Sequence, residues 1–345
     1  PDGTNRVFCL VDFFPQNIAC LMNGSDLSLG HGYMDVNGKK YLKLLNDDES
    51  EVYTVREGGH IFNAAGEDTG ATFRENSDGS IGNRDYGWLT GPNGEDWGSC
   101  WMYSGEDKGH LHAVRNQHLM LTYSDDDGET WSSPRLITDQ VKEDWMKFNG
   151  TGPGRGIQLE HGEHAGRLVF STYSIANNFN SQASSIIYSD DYGETWTRAR
   201  SPLECAGADI SSETSVGQYG VTTENQVVEL NDGSLLMFMR NYSGKVKMSK
   251  STDGGETWGA ITQTAVTDVY CQVAATHTNY NGKEYVILAT AQGPGRTNGA
   301  TTVGEIQSDG TIDWKTPKQY SIGSNQYGCL EVVDDGVIGL IYEAD

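Results

Sequence analysis

The sequence predicts an all-β fold built by repeating one supersecondary unit, the arrangement of a β-propeller. Three observations carry that reading. An eight-residue phrase occurs three times, as SDDDGETW at 124–131, SDDYGETW at 189–196 and STDGGETW at 251–258. Each copy follows an apolar or tyrosine-bearing run that reads as a strand (LMLTY, SSIIY, VKMSK). Recurrence at a long, nearly fixed period marks a repeat architecture with one unit per period, and a propeller blade is the natural all-β case. The composition agrees. With 43 glycines, 17 tyrosines and 8 tryptophans, and no long amphipathic helical pattern, many short strands and tight turns are expected.

The phrase has a physical logic of its own. Asp126, Asp191 and Asp253 are placed to accept hydrogen bonds from the backbone of their own turn. The glycine two positions later supplies a positive φ, and the tryptophan that follows returns a large apolar ring toward a core. The phrase is expected to be a hairpin corner whose residues are structural. A fourth, worn copy is expected at 307–314 (QSDGTIDW), where Asp309 and Trp314 keep their places.

Residues 1–23 open inside a strand, Val7 to Phe14, so a preceding segment is expected. From 24 to 117 the phrase is absent and short strands (KKYLKLL, SEVYTVRE, HIFN) alternate with polar Gly/Asn/Asp clusters, which predicts a small inserted β domain. The propeller resumes at His118 and runs to 345. In 144–159, Gly150, Gly152, Gly154 and Gly156 alternate around Pro153, but neither GxGxxG nor GxxxxGK[ST] is satisfied and no helix follows. A loop beside a buried strand is expected there, not a phosphate cradle. Strands follow at GRLVFSTYS and SSIIY, and then at ENQVVEL and LLMFM, which Asp232-Gly233 joins in the strongest hairpin pattern of the chain. GKEYVILATA and VIGLIYE complete the series.

Charge and cysteine usage exclude several functions. Lys+Arg 24 against Asp+Glu 48 gives a formal charge of −24 with no gathered basic patch, so neither nucleic acid nor an anionic membrane is an expected partner. No run of about 18 apolar residues encodes a membrane helix, and the first residues carry no signal-peptide pattern. Cys9, Cys20, Cys100, Cys205, Cys271 and Cys329 form no CxxC pair; no metal site and no cofactor is expected, and a disulfide pattern is unreadable. Glycosylation sequons at Asn23, Asn149 and Asn241 arise about as often as chance gives them.

Four residues at strand ends could carry chemistry. Glu224 precedes the strand VVEL, Arg240 ends its partner LLMFM, Arg296 follows YVILATA in QGPGRTNG, and Tyr327 lies in SNQYGCLEV before the final strand. In a propeller, blade ends on one face converge on the axis, so residues far apart in sequence can meet there. Each taken alone has a bland reading as a solvated or packed residue.

Taken together, the chain resembles a family. The three phrases look like the Asp boxes of the exo-sialidases, six-bladed propellers that cleave terminal sialic acids, and Glu224, Arg240, Arg296 and Tyr327 follow in the family's order. DWMKF, GPGRGIQL, IIYSDD, DVYCQ and GKEYVIL also look like propeller strands of the large bacterial sialidases with an inserted β domain, a group of hydrolases and intramolecular trans-sialidases. The resemblance implies sialylated glycans or glycoproteins as substrates and an extracellular or cell-surface location. Arg240 and Arg296 would be two of three arginines that hold the substrate carboxylate, since a planar guanidinium grips a carboxylate bidentately at any working pH. Tyr327 would be a neutral nucleophile, avoiding the repulsion a carboxylate would meet, and Glu224 its base. Tyr173 would line the pocket. The family's first arginine, in an Arg-Ile-Pro stretch, and its general-acid aspartate have no match here and are expected ahead of Pro1. A non-catalytic sialoside-binding propeller is the alternative; a purely structural propeller would have no reason to keep the four residues together.

Overall fold

The computed structural model describes residues 5–16, 18, 28, 30–75, 85–176, 181–212 and 220–344. The Asn23 sequon and Cys20 lie outside the described residues. Two compact units divide the chain, Pro1–Gly150 and Thr151–Asp345. The all-β expectation holds: every strand pair with a described register is antiparallel, and among the described residues the α-helices are single turns at Thr138–Val141 and Pro202–Cys205.

In the first unit, Val7–Phe13 pairs along its full length with His118–Ser124, Val7 opposite Ser124 and Phe13 opposite His118. Arg135–Leu136 adds a third strand. Eight strands that lie between Val7–Phe13 and His118–Ser124 in sequence form their own sheet, running from Tyr33–Val36 and Lys39–Leu45 to Asp96–Ser99, with His112–Ala113 closing on Lys39–Leu45. Its core gathers Leu42, Leu44, Ile61, Phe73, Leu89 and Trp101, all buried. Burial there also governs two ionisable groups. His118 is fully enclosed and its pKa falls to about 3. Lys142 is buried, its Nζ donating to Asn116 Oδ1 (2.7 Å) and the carbonyls of Gln117 (2.9 Å) and Lys147 (3.2 Å), and desolvation, opposed by the charge of Asp12, lowers its pKa to about 7.

The second unit stacks blade-like sheets. One carries Leu168–Ile175, Gln182–Ser189 and Thr197–Arg198; the next is Asn225–Glu229, Leu235–Met239, Lys245–Ser251 and Thr262–Thr267. A third holds Ala274–Tyr280, Lys283–Ala291, Gly299–Ile306 and Ile312–Trp314, and the hairpin Gly328–Asp334/Val337–Tyr342 follows. Strand alternation explains why LLMFM is buried throughout. Leu235, Met237 and Met239 face a core with Val169, Ile186 and Trp258, whereas Leu236 and Phe238 face one with Val273, Val286 and Leu288.

The three phrases share one geometry. In each, the serine hydroxyl accepts the N–H of the glycine (2.8, 2.8 and 2.9 Å), and the aspartate takes both the N–H and the hydroxyl of the threonine. Two consecutive residues have positive φ: Asp127 and Gly128, Tyr192 and Gly193, Gly254 and Gly255. Trp196 and Trp258 are buried, as expected, but Trp131 is only half-buried. The stretch 307–314 is not a fourth copy. Asp309 bonds Thr311 two residues on instead of a threonine four residues on, so the turn is a tight Asx hairpin, and Trp314 reaches the core from the strand Ile312–Trp314. The alternating glycines of 150–156 allow close backbone approach. A Cβ at Gly154 would lie 2.1 Å from Gln226 Oε1, and one at Gly152 2.8 Å from the Ser171 side chain. Asn149 and Asn241 are fully buried, with side-chain amides committed to the carbonyls of Val141 and of Met239 and Lys245, so neither sequon presents its amide to solvent.

Candidate active site

The hairpin Asn225–Glu229/Leu235–Met239 sets the first two site residues. Its turn closes at Asp232-Gly233, where Asp232 Oδ1 accepts the Ser234 N–H (2.9 Å) and Gly233 has a φ of 79°. The register runs from Glu229 opposite Leu235 to Asn225 opposite Met239. One step further, Arg240 N donates to Glu224 O (3.0 Å), placing the two side chains across from each other. Both are buried, Glu224 at 6% and Arg240 at 7% exposure.

A second hairpin delivers the tyrosine. Gly328–Asp334 pairs with Val337–Tyr342, and Glu343 N donates to Tyr327 O (2.8 Å) where the ladder ends. Gln272 pins this end, accepting the Gly328 N–H (3.0 Å) and donating to Gly328 O (3.0 Å). The Tyr327 hydroxyl thereby donates to Glu224 Oε1. Arg240 Nη1 reaches both partners, at 2.5 Å from Glu224 Oε2 and 3.0 Å from the Tyr327 hydroxyl. Arg296, half-buried in the loop between Lys283–Ala291 and Gly299–Ile306, holds Gln326 Oε1 (3.2 Å) with its Cζ 5.7 Å from the Tyr327 ring centroid.

Burial raises the Tyr327 pKa, and the Glu224 carboxylate raises it further through its charge and hydrogen bond, while Arg240 and Arg296 oppose the rise. The phenol therefore stays protonated at neutral pH. Burial works against charge on Arg240, but the Glu224 carboxylate beside it outweighs that penalty and the net shift is upward. A cation, a carboxylate and a neutral phenol thus share one enclosed set of hydrogen bonds, in which the phenol can pass a proton to Glu224 with little motion.

Glu224, Arg240 and Tyr327 are in direct contact, and Arg296 flanks the Tyr327 ring. Tyr173 is 7% exposed on the strand Leu168–Ile175, opposite Ser184. Residues not singled out from sequence complete the surroundings. The Tyr270 ring centroid lies 4.0 Å from Arg240 Cζ and stacks on Tyr242 (3.7 Å, 16°). Asp268 accepts the backbone N–H groups of Asn241 (2.9 Å), Tyr270 (2.7 Å) and Cys271 (3.2 Å), and its burial raises its pKa. The stretch DVYCQ contains Asp268, Tyr270 and Gln272, and was the available signal.

A stacked-blade β fold with Asp-box corners and this cluster at the strand ends defines a sialidase-type propeller. Residues 94–338 match the BNR repeat-like domain family, and the chain belongs to it as a member of the sialidases. It is 31% identical to the anhydrosialidase of Macrobdella decora, over 99% of this chain and 45% of that protein. The solved intramolecular trans-sialidase from Ruminococcus gnavus, in complex with oseltamivir carboxylate, is similar at a TM-score of 0.79 and 30% identity, covering 99% of this chain and 71% of that one. A leech intramolecular trans-sialidase complexed with 2,7-anhydro-Neu5Ac is similar at a TM-score of 0.78 and 27% identity, with 99% and 51% covered. The chain spans less than half the length of the first of these relatives.

Proposed function

We propose that this chain carries the greater part of a retaining exo-α-sialidase site that cleaves terminal sialic acid from glycoconjugates through a sialyl-tyrosine at Tyr327. The observation that carries the reading is the Tyr327 hydroxyl donating to Glu224 with Arg240 Nη1 on both. Sialic acid bears a carboxylate on its anomeric carbon. Arg240 and Arg296 offer fixed positive charge to that group, and Tyr173 is assigned to the pocket wall. A neutral phenol attacks without repulsion from the substrate's anion, but it needs a base because its pKa is raised.

In the first step the Tyr327 oxygen bonds to the anomeric carbon, the bond to the leaving glycan oxygen breaks, and the phenolic proton passes to Glu224. The leaving oxygen takes its proton from a general acid, a role assigned to none of the residues named above. In the second step Glu224 returns the proton to the departing phenol while a hydroxyl bonds to the anomeric carbon and gives up its proton to the conjugate base of that general acid. Capture by water gives free sialic acid; capture by the sugar's own hydroxyl gives an anhydro sugar. The similarity to an anhydrosialidase and to intramolecular trans-sialidases favours the second outcome. We also read 24–117 as a small β domain inserted in a six-bladed propeller to which 1–23 and 118–345 contribute, acting outside the cell or at its surface.

The test is Tyr327→Phe in the full-length protein, assayed on a sialyllactose with product analysis. Turnover through the tyrosine is expected to vanish while binding of sialic acid persists. Unchanged turnover would remove Tyr327 from the mechanism. Binding without released sugar in the parent protein would favour a sialoside-binding propeller instead.

A further inference from the structure

Arg240 is anchored at one nitrogen. Nη1 makes the bonds to both Glu224 and Tyr327, whereas Nε is buried with no hydrogen-bond partner among the described residues. A guanidinium held at a single corner can turn its plane, and bidentate recognition of a carboxylate requires that plane to be fixed. The face of the group meets the Tyr270 ring, 4.0 Å from Cζ to the centroid, which is cation–π distance. Tyr242 backs that ring in a near-parallel stack and is itself 58% exposed. Arg240, Tyr270 and Tyr242 thus form three layers running outward from the site.

Tyr270 stands there against its own backbone preference. Its φ is 61°, a left-handed conformation that bulky side chains rarely adopt and that glycine or asparagine takes more readily. Asp268 holds the conformation through the N–H groups of Tyr270 and Cys271, and Gln182 Nε2 donates to the Tyr270 hydroxyl (3.2 Å). Non-glycine residues held in this region cluster at sites where the strain serves a function.

We propose that Tyr270 is a positioning residue, its ring fixing the plane of the Arg240 guanidinium so that the substrate carboxylate meets it edge-on, with Tyr242 as the supporting outer layer. This rests on the sialic acid reading of the site. The test compares Tyr270→Phe and Tyr270→Asn in the full-length protein, measuring the Kd of the 2,3-unsaturated glycal of sialic acid, the steady-state constants on a sialyllactose, and Tm. Phe keeps the ring and is expected within about 2-fold of the parent in Kd. Asn suits the backbone but lacks the ring; Kd and KM are expected to rise roughly 5- to 30-fold, the range a desolvated cation–π contact gives, with kcat changed less. A merely structural tyrosine would move Tm and leave the Kd of the folded protein unchanged. Parent-like Kd in Tyr270→Asn overturns the proposal. If that variant does not fold, Tyr242→Ala on the exposed layer is expected to raise Kd about 2- to 5-fold, and no change there overturns it equally. A parent protein that neither binds the glycal nor releases sugar overturns the sialic acid reading itself, and the proposal with it.

Discussion

Glu224 holds two partners with its two oxygens, the Tyr327 hydroxyl on one and Arg240 on the other. Removing its charge while keeping its shape separates base strength from geometry. Glu224→Gln is expected to lower kcat by about 10²–10⁴-fold, the usual range for a positioned base, with a smaller effect on KM. Single-turnover kinetics on a sialoside check this, and a loss confined to KM would contradict the base role. The Glu224–Arg240 pair was legible in the sequence because the Asp232-Gly233 turn fixes the register, and antiparallel counting from it brings Glu224 opposite Arg240. Tyr270 was not legible. Its place depends on a left-handed backbone and on Asp268 bonding the N–H groups of Tyr270, Cys271 and the distant Asn241, neither of which has a periodic signature.

The Asp-box corner is the element the sequence announced most clearly, since its hydrogen bonds are local and repeat with the residues that make them. Its glycines still differ in what surrounds them. Gly128 has φ 92° with only the Trp131 ring near, at 3.8 Å, whereas a Cβ on Gly255 would lie 2.4 Å from Ile186 Cδ1. Gly128→Ala is therefore expected to cost about 1–2 kcal/mol for the left-handed backbone alone. Gly255→Ala adds overpacking of roughly 1–3 kcal/mol. Thermal unfolding of the two variants checks the order, and equal losses would show that Ile186 yields without cost. Strands such as Ala274–Tyr280 (AATHTNY) and Gly299–Ile306 (GATTVGEI) were missed because their weak apolar alternation gains its burial only from neighbouring sheets. The stretch 307–314 misled for the opposite reason: its composition matches while its hydrogen-bond spacing does not.

At the scale of the whole molecule the acidic balance, −24, sets the surface, but the buried groups set the pH response. Lys142 is the clearest case. Its folded pKa, about 7, lies below the ordinary lysine value of 10.5, so between those limits the unfolded chain binds the proton more readily than the folded one. Stability from this group therefore rises as pH increases from about 7 to 10.5, by on the order of a few kcal/mol, and is flat below 7. Lys142→Met removes the donor that Asn116, Gln117 and Lys147 share. It is expected to destabilise at pH 9 by roughly 1–3 kcal/mol and to flatten that rise. Denaturant unfolding of both proteins from pH 7 to 10 provides the measurement; parallel curves would mean that Lys142 stays charged in its cavity.

The pairing of Val7–Phe13 with His118–Ser124 has a consequence for synthesis. On the ribosome Val7–Phe13 emerges long before His118–Ser124 exists, and the backbone edge that this partner takes is open in the meantime. The eight-stranded sheet encoded between them can close in that interval. Because Phe13 ends opposite His118, completing that sheet returns the chain to the place where Val7–Phe13 can be joined.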